Sequence, residues 1–219
     1  MKHAPRLVLA SSSPARRTLL RAAGIDPEVI VSGVDESVVD SADPEVLSLT
    51  LARLKAEAVA ARLRDQGSTE PTLVLGCDSV LAFDGYLFGK PTTAAEAVGR
   101  WHAMRGRSGV LYTGHCLVDL STGKRAEAAS GTTVHFADLD DHEIEAYVAT
   151  GEPLRVAGAF TIDGLGSPFV ERIEGDHGTV VGLSMPVLRR LLAEFGVSVA
   201  DLWQGSPDSA STAATTVGT

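Results

Sequence analysis

The stretch from Leu7 to Leu20 constrains the fold of this chain more than any other, because it predicts a buried strand that passes directly into a helix. Leu7 to Ala10 are four consecutive apolar residues, a run typical of a buried strand. Three serines follow, and Pro14 suits the first position of a helix, where a missing N–H is not needed. A strand that turns so tightly into a helix is the expected beginning of an α/β sheet protein.

The junction between this strand and helix also has the features of an anion-binding site. A helix N-terminus presents free N–H groups and the positive end of its dipole, and the hydroxyls of Ser11 and Ser13 lie beside it in sequence. Arg16 precedes Leu19 and Leu20 by one helical turn, so its side chain is expected to point inward with theirs. The alternative is a serine-capped helix with two solvated arginines. The stretch is not a Walker loop, because it has no glycine and no Gly-Lys-Ser/Thr ending.

Composition excludes several classes of function. Nineteen basic against 28 acidic residues give a net charge of −9, which argues against binding to nucleic-acid polymers or membrane surfaces. No apolar run approaches the ~20 residues that a membrane span needs, and the N-terminal residues lack the apolar segment of a signal peptide. Two cysteines, Cys77 and Cys116, make no disulfide framework, so we expect a cytoplasmic protein.

The order of the remaining elements predicts a mixed α/β fold. Strands alternate with helices at first, and a block of strands then follows. We expect an elongated mixed β-sheet flanked by helices, in two lobes with a central cleft. Residues 1–203 would form the domain, and residues 204–219, which are almost without apolar bulk, a disordered tail. The predicted strands are Pro27–Ser32, Leu73–Cys77, Val80–Phe83, Tyr86–Phe88, Val110–Leu120, Ala128–Ala137, Phe169–Ile173 and Thr179–Gly182, and the predicted helices are Pro44–Gln66, one from Thr93, Asp141–Ala149 and one from Met185.

Four further residues are candidates for phosphate chemistry. Asp78 follows five apolar residues at an expected strand end, where a carboxylate can hold a divalent cation or accept a proton from water. Lys90 lies between Gly89 and Pro91 at a defined bend, which suits a phosphate ligand. Lys55 sits at the edge of a helix face and Glu36 in a loop. The alternatives are an Asp that caps a turn, a solvated loop lysine, a lysine extended along the helix surface and a simple loop carboxylate.

Together, a Ser/Arg anion site, two lysines and two carboxylates match a nucleoside triphosphate with magnesium. The chain resembles the Maf family, the septum-formation-inhibitor-like nucleoside triphosphate pyrophosphatases, over roughly Leu7 to Phe195. The resemblance rests on many short motifs in the same order and with similar spacing. They are Leu9-Ala10-Ser11-x-Ser13-Pro14-x-Arg16, Val34-Asp35-Glu36, Lys55-Ala56, Gly76-Cys77-Asp78-Ser79, Gly89-Lys90-Pro91, Tyr112-Thr113-Gly114, Glu152-Pro153-Leu154, Ala157-Gly158-Ala159-Phe160 and Val181-Gly182-Leu183.

This resemblance implies a fold like that of the inosine triphosphate pyrophosphatases, usually as a homodimer, with the nucleotide bound between the lobes. It implies hydrolysis of a nucleoside triphosphate to the monophosphate and pyrophosphate with a divalent metal, Mg²⁺ or Mn²⁺, as a house-cleaning reaction on the nucleotide pool. By motif match, Asp78 would be the general base and a metal contact, and Glu36 a further metal ligand. The residues that would contact the substrate are Ser11, Ser13, Arg16, Lys55, Ser79, Lys90 and Asp163.

The sequence departs from the family pattern at three places. Ala15 replaces the first of two arginines, Val156 stands where many members have a lysine, and Ser184 and Met185 separate Gly182-Leu183 from the proline. With Ala15 and Asp163, the chain is closer to the branch that resembles 7-methyl-GTP pyrophosphatases than to the branch that prefers dTTP and UTP. We therefore expect a preference for guanine-type or modified purine triphosphates.

Two other classes of protein compete with this interpretation. A non-enzymatic regulator of septum formation and cell division, acting through protein binding, is the alternative suggested by the family name. The acid and cation residues Glu36, Asp78 and Lys90 favour the enzyme, because a binding module has no need for all three. A Rossmann-type dinucleotide domain is excluded, because no Gly-x-Gly-x-x-Gly follows the first strand.

Overall fold

The computed structural model describes residues 5–203, which form one mixed sheet flanked by helices. The predicted tail, 204–219, lies outside the described residues. The strands are β1 (Arg6–Leu9), β2 (Glu28–Val29), β3 (Thr72–Phe83), β4 (Tyr86–Phe88), β5 (Ser108–Asp119), β6 (Arg125–Phe136) and β7 (Val170–Glu174). The helices are α1 (Pro14–Ala22), α2 (Pro44–Asp65), α3 (Ala94–Met104), α4 (Asp141–Ala149), α5 (His177–Val181) and α6 (Met185–Glu194), and short 3₁₀ turns span Glu36–Val38, Pro153–Arg155, Ala157–Ala159, Ser167–Phe169 and Val199–Leu202.

The sheet is mixed, as predicted. Its order is β2-β1-β3-β5-β6-β7, and β4 pairs with β3 outside this path. Strand β1 is parallel to β2 and β3, whereas all other pairings between the described strands are antiparallel. The turn between β3 and β4 is the expected two-residue hairpin, because Asp84 and Gly85 both have positive φ, 54° and 82°.

The long central strands connect two apolar clusters on one face of the sheet. Leu73 and Leu75 of β3 belong to a cluster with helices α1 and α6. Leu81 and Phe83, further along the same strand, belong to a cluster with α3 and α4. These two clusters are the two lobes that the sequence predicts, and the middle of β3 lies between them.

Helix α2 covers the other face of the sheet at very short range. A Cβ added to Gly76 on β3 would overlap the Ala52 carbonyl oxygen, and one added to Gly114 on β5 would overlap the backbone of Ser48. The two glycines therefore let the helix backbone lie directly on the strands. This approach determines where the side chains of α2 meet β3.

Four of the predicted strands differ from the structure. Pro27–Ser32 is a strand only at β2 (Glu28–Val29), and Leu73–Cys77 and Val80–Phe83 are parts of one continuous strand, β3. The strand prediction at Thr179–Gly182 is wrong: although Thr and Val favour strands, these residues lie mainly in α5. The Asp176 carboxylate caps this helix by accepting from the Thr179 N–H at 3.0 Å, and Gly182 ends it at φ 116°. Strand β3 does not end before Asp78, because β5 pairs with it from Leu73 to Ala82.

A buried histidine joins the sheet to α6. His115 on β5 is fully buried, and its Nε2 accepts a hydrogen bond from the Ser184 N–H at 2.8 Å. Its Nδ1 lies 3.3 Å from the Ala128 carbonyl oxygen, so the neutral tautomer carries its proton there. Burial lowers the pKa of His115 from 6.5 to about 4.

Because the imidazole stays neutral in the fold and takes a proton in the unfolded chain below pH 6.5, His115 should make the protein less stable in acid. We expect its contribution to the free energy of unfolding to fall by about 2 kcal/mol between pH 7.5 and 5. Urea denaturation of the wild type and His115→Gln at both pH values measures this. The stability gap between the two proteins should shrink at pH 5, and a gap that stays constant would contradict the prediction.

Candidate active site

A cleft of about 1110 Å³ lies between the two lobes and contains every site residue that the sequence predicts. Its walls come from the β1–α1 loop, the 31–36 segment, α2, the middle of β3, the loop after β4 and residues 150–165. The predicted residues that line it are Ser11, Ser13, Arg16, Glu36, Lys55, Asp78, Ser79, Lys90 and Asp163.

The β1–α1 loop has the predicted capped geometry. Ser13 is the N-cap of α1, and its hydroxyl accepts from the backbone N–H of Arg16. The Ser11 hydroxyl accepts from the Ser13 N–H at 3.1 Å and from the Arg16 guanidinium at 3.1 Å. The serines therefore shape the loop at the start of the helix, and the loop opens into the cleft.

Arg16 is buried, as its position in the helical repeat predicts, so the alternative of a solvated Arg16 is wrong. Besides Ser11, its guanidinium donates to the carbonyl oxygens of Gly182 at 2.7 Å and Cys77 at 2.8 Å, and to the Ser79 hydroxyl at 3.1 Å. Four of the five guanidinium N–H groups thus have acceptors within residues 5–203. Arg16 connects α1, β3 and the end of α5.

Lys55 joins the two predicted carboxylates. Its ammonium nitrogen lies 2.5 Å from Asp78 Oδ1 and 2.7 Å from Glu36 Oε1. Asp78 pairs with Gly114 across the sheet, so its side chain is on the face that α2 covers. Lys55 and Asp78 are both buried, whereas Glu36 is half exposed. The alternative of Lys55 extended along the helix surface is therefore wrong.

Burial and charge act in opposite directions on the two carboxyls. Burial raises the pKa of Asp78 above its ordinary value, although the charges of Lys55 and Arg16 work against that rise. Burial also raises the pKa of Glu36, but the hydrogen bond and charge of Lys55 outweigh it and leave that pKa lowered. One ammonium group therefore holds two carboxylates whose affinities for a proton have moved apart.

The other predicted residues lie nearer the rim. Lys90 is exposed, and the preceding Gly89 is anchored because its carbonyl accepts from the Gly158 N–H at 3.1 Å and from Arg100 at 2.6 Å. Asp163 is exposed in the wall formed by residues 150–165. The bend at Lys90 is thus fixed by the backbone, as its flanking glycine and proline suggest.

A family model described as Maf-like protein matches residues 6–195. The chain belongs to this family. A nucleoside triphosphate pyrophosphatase of Salinispora tropica is 67% identical over 198 residues, which cover 90% of this chain and 87% of the relative. Proteins of the same name from Streptomyces coelicolor and Nostoc punctiforme are 55% and 51% identical, over 93% and 91% of this chain and 97% and 98% of theirs.

Two residues of the cleft, Arg155 and Glu152, are further functional candidates that the sequence did not predict. Arg155 lines the cleft, and its side chain is exposed and makes no hydrogen bond or ion pair within residues 5–203. Glu152 lies in the wall that carries Asp163. Both fall within or beside the family motif Glu152-Pro153-Leu154, which is the sequence signal that could have identified them.

The donor set fits a divalent cation that arrives with a phosphate ligand. Within residues 5–203, no group of three or more His, Cys, Asp or Glu side chains could hold a metal alone. Asp78 and Glu36 nevertheless face each other across Lys55 at the cleft. Mg²⁺ is commonly held by one or two carboxylates together with substrate phosphates.

None of the helices in the described range is long and apolar enough to cross a membrane.

The buried ion pair between Lys55 and Asp78 should contribute strongly to the free energy of unfolding. Lys55→Met leaves the Asp78 carboxylate buried without its partner, and we expect a loss of about 3 kcal/mol in the free energy of unfolding. Adding Asp78→Asn to Lys55→Met should recover part of that loss, because the amide has no charge to bury. Urea denaturation of the two single variants and the double variant measures the coupling.

The matched control is Lys124→Met. Lys124 is exposed and donates to the Glu194 carbonyl oxygen at 2.6 Å, so its loss should lower the free energy of unfolding by less than about 1 kcal/mol. Two results would show that Lys55 and Asp78 are not coupled. One is an equal loss of unfolding free energy in Lys55→Met and Lys124→Met, and the other is a loss in the Lys55→Met/Asp78→Asn double variant that equals the sum of the two single losses.

Proposed function

We propose that this chain hydrolyses a nucleoside triphosphate to the nucleoside monophosphate and pyrophosphate. The observation that carries the proposal is the buried Asp78 carboxylate, held 2.5 Å from Lys55 at the floor of a cleft with a helix N-terminus in its wall. A carboxylate fixed in this way can accept a proton from water. The name of the relatives, nucleoside triphosphate pyrophosphatase, agrees with this chemistry.

The cations of the cleft suit the triphosphate. The N-terminus of α1, with the hydroxyls of Ser11 and Ser13, offers hydrogen-bond donors and a positive dipole end. Lys90 and Arg155 add two charges on exposed side chains. In a protein with a net charge of −9, such a local group of cations is what allows a polyanion to bind.

A divalent cation, Mg²⁺ or Mn²⁺, completes the proposal. Asp78 and Glu36 would hold it together with phosphate oxygens. When bound, such an ion offsets phosphate charge and lowers the pKa of a coordinated water.

The protein's own groups supply the rest of the reaction. Water provides the oxygen of the new P–O bond as the bond between the α- and β-phosphates breaks, and Asp78 accepts the proton that the water loses. Lys55 keeps the Asp78 carboxylate in place, and Lys90 faces the charge that develops on the leaving pyrophosphate. The serine loop holds the phosphates in position.

The family resemblance also bears on the cellular role, location and oligomeric state of the protein. We infer a house-cleaning role on the nucleotide pool, in the cytoplasm and as a homodimer, on the strength of the family resemblance. A regulator of septum formation is the less favoured alternative, because the Lys55–Asp78 ion pair at the floor of the cleft is buried rather than displayed on a surface.

The assignment of Asp78 is tested by Asp78→Asn, which keeps the size of the side chain but removes its charge and basicity. We expect pyrophosphate release to fall by about 100-fold or more. Asp84→Asn is the control, because Asp84 is exposed in the β3–β4 turn and Asn tolerates its φ of 54°. Near wild-type release by a folded Asp78→Asn protein, checked by circular dichroism, would refute the assignment.

Base preference tests the role of Asp163. An ionised carboxylate only accepts hydrogen bonds, so it suits the adjacent N–H and NH₂ of guanine and not the two carbonyls of uracil or thymine. We expect kcat/KM to be higher for 7-methyl-GTP and GTP than for UTP and dTTP by about tenfold or more. Asp163→Asn should narrow that difference. A preference of the wild type for UTP or dTTP would show that Asp163 does not contact the base.

A further inference from the structure

One carboxylate closes the wall of the cleft that carries Asp163. Glu152 Oε1 accepts hydrogen bonds from the Tyr147 hydroxyl at 3.0 Å, the Thr161 hydroxyl at 2.5 Å and the Gly166 N–H at 3.1 Å. Its Oε2 accepts from the Leu165 N–H at 3.1 Å. Four donors thus converge on one side chain, and three of them belong to the 161–166 segment.

The segment is built around this carboxylate. A Cβ added to Gly164 would lie 2.7 Å from Glu152 Oε2, and one added to Gly166 would overlap the Tyr147 hydroxyl. Tyr147 itself is buried and packs edge-to-face against Trp101 of the core, with ring centroids 5.7 Å apart. The carboxylate therefore links the 161–166 loop, through Tyr147, to the apolar core.

The Glu152 side chain also stays charged at neutral pH. Burial raises its pKa, but the hydrogen bonds from Thr161, Leu165, Tyr147 and Gly166 outweigh burial, so the pKa lies below the ordinary value. A neutral acid could not accept from all four donors in the same way.

The charge of this wall indicates which part of a nucleotide it meets. The cleft-lining residues 161–165 contribute no cation, and Asp163 is their one charged side chain. The cations of the cleft, Arg16, Lys55, Lys90 and Arg155, all lie outside residues 161–165. The Asp163 carboxylate, with the Glu152 carboxylate behind it, disfavours phosphate at residues 161–165. An exposed carboxylate and backbone carbonyl acceptors instead suit the N–H and O–H donors of a base and a ribose.

We propose that Glu152 is a positioning residue for the nucleoside: it holds residues 161–165 as the wall that contacts the base and ribose, without touching the substrate itself. The inference rests on the proposed function for the identity of the ligand. It predicts that loss of the Glu152 hydrogen bonds weakens recognition of the nucleoside and leaves recognition of the phosphates intact.

Glu152→Gln tests this with a minimal change, because the amide keeps one acceptor and turns the other into a donor that opposes a loop donor. The measurement is calorimetric binding of two ligands in the same Mg²⁺ buffer, the α,β-methylene analogue of GTP and inorganic tripolyphosphate. We expect Kd for the nucleotide analogue to rise about tenfold. Kd for tripolyphosphate should change by less than about twofold.

Two further variants secure the result. Tyr147→Phe removes one donor to Glu152 and should give the same pattern, which keeps the proposal testable if Glu152→Gln fails to fold. Glu145→Gln is the matched control. Glu145 is exposed on α4, the helix that carries Tyr147, so this variant should change neither Kd.

Several outcomes would overturn the inference. They are an equal loss of affinity for both ligands, no loss for either, or a wild type that binds the analogue no more tightly than tripolyphosphate. Because the assay measures binding without turnover, its result is separate from the proposed function. Absence of pyrophosphate release by the wild type would contradict the activity and leave the binding comparison valid.

Discussion

The site depends on how closely α2 can approach the sheet. Gly76 and Gly114 leave no side chain between the helix backbone and the strands, and this brings Lys55 within 2.5 Å of Asp78. A buried ion pair is tolerated only when its geometry satisfies both charges, because desolvation otherwise exceeds the attraction. Here Lys55 also reaches Glu36 at 2.7 Å, so one lysine neutralises much of the charge at the cleft floor. A larger residue at either glycine would displace the helix and separate the pair.

The cleft follows from the distribution of apolar residues along the central strands. At its two ends β3 packs Leu75 and Leu81 into separate clusters. Between them, Asp78 faces α2 and Ser79 faces Arg16. A strand with a polar middle cannot bury that middle in one continuous core, so the sheet carries two lobes with a polar seam between them. Polar groups that converge in such a seam are typical of small-molecule sites.

Local signals predicted much of the fold, and long-range pairing explains what they missed. Pro14 after the serines and the Asp84-Gly85 turn depend on a few neighbouring residues, and both are confirmed. Asp78 looked like a strand end because it is polar, but the full-length pairing of β3 with β5 carries the strand past it. The helical pattern predicted Lys55 only at the edge of a helix face. It could not predict the buried ion pair, because the partner Asp78 is 23 residues away and only the folded chain brings the two side chains together. The residues that converge on Glu152 were missed for the same reason.

Arg16 and the exposed cations divide the work of binding a polyanion. Four guanidinium N–H groups of Arg16 are already satisfied by protein acceptors within residues 5–203, which leaves one for a ligand. Its main physical effect is therefore to hold the serine loop, β3 and Gly182 together. Lys90 and Arg155 make no such bonds in that part of the chain, so their full charge is available to a ligand. Rigid groups thus shape the cleft, and the side chains at its rim supply the attraction that the acidic protein as a whole lacks.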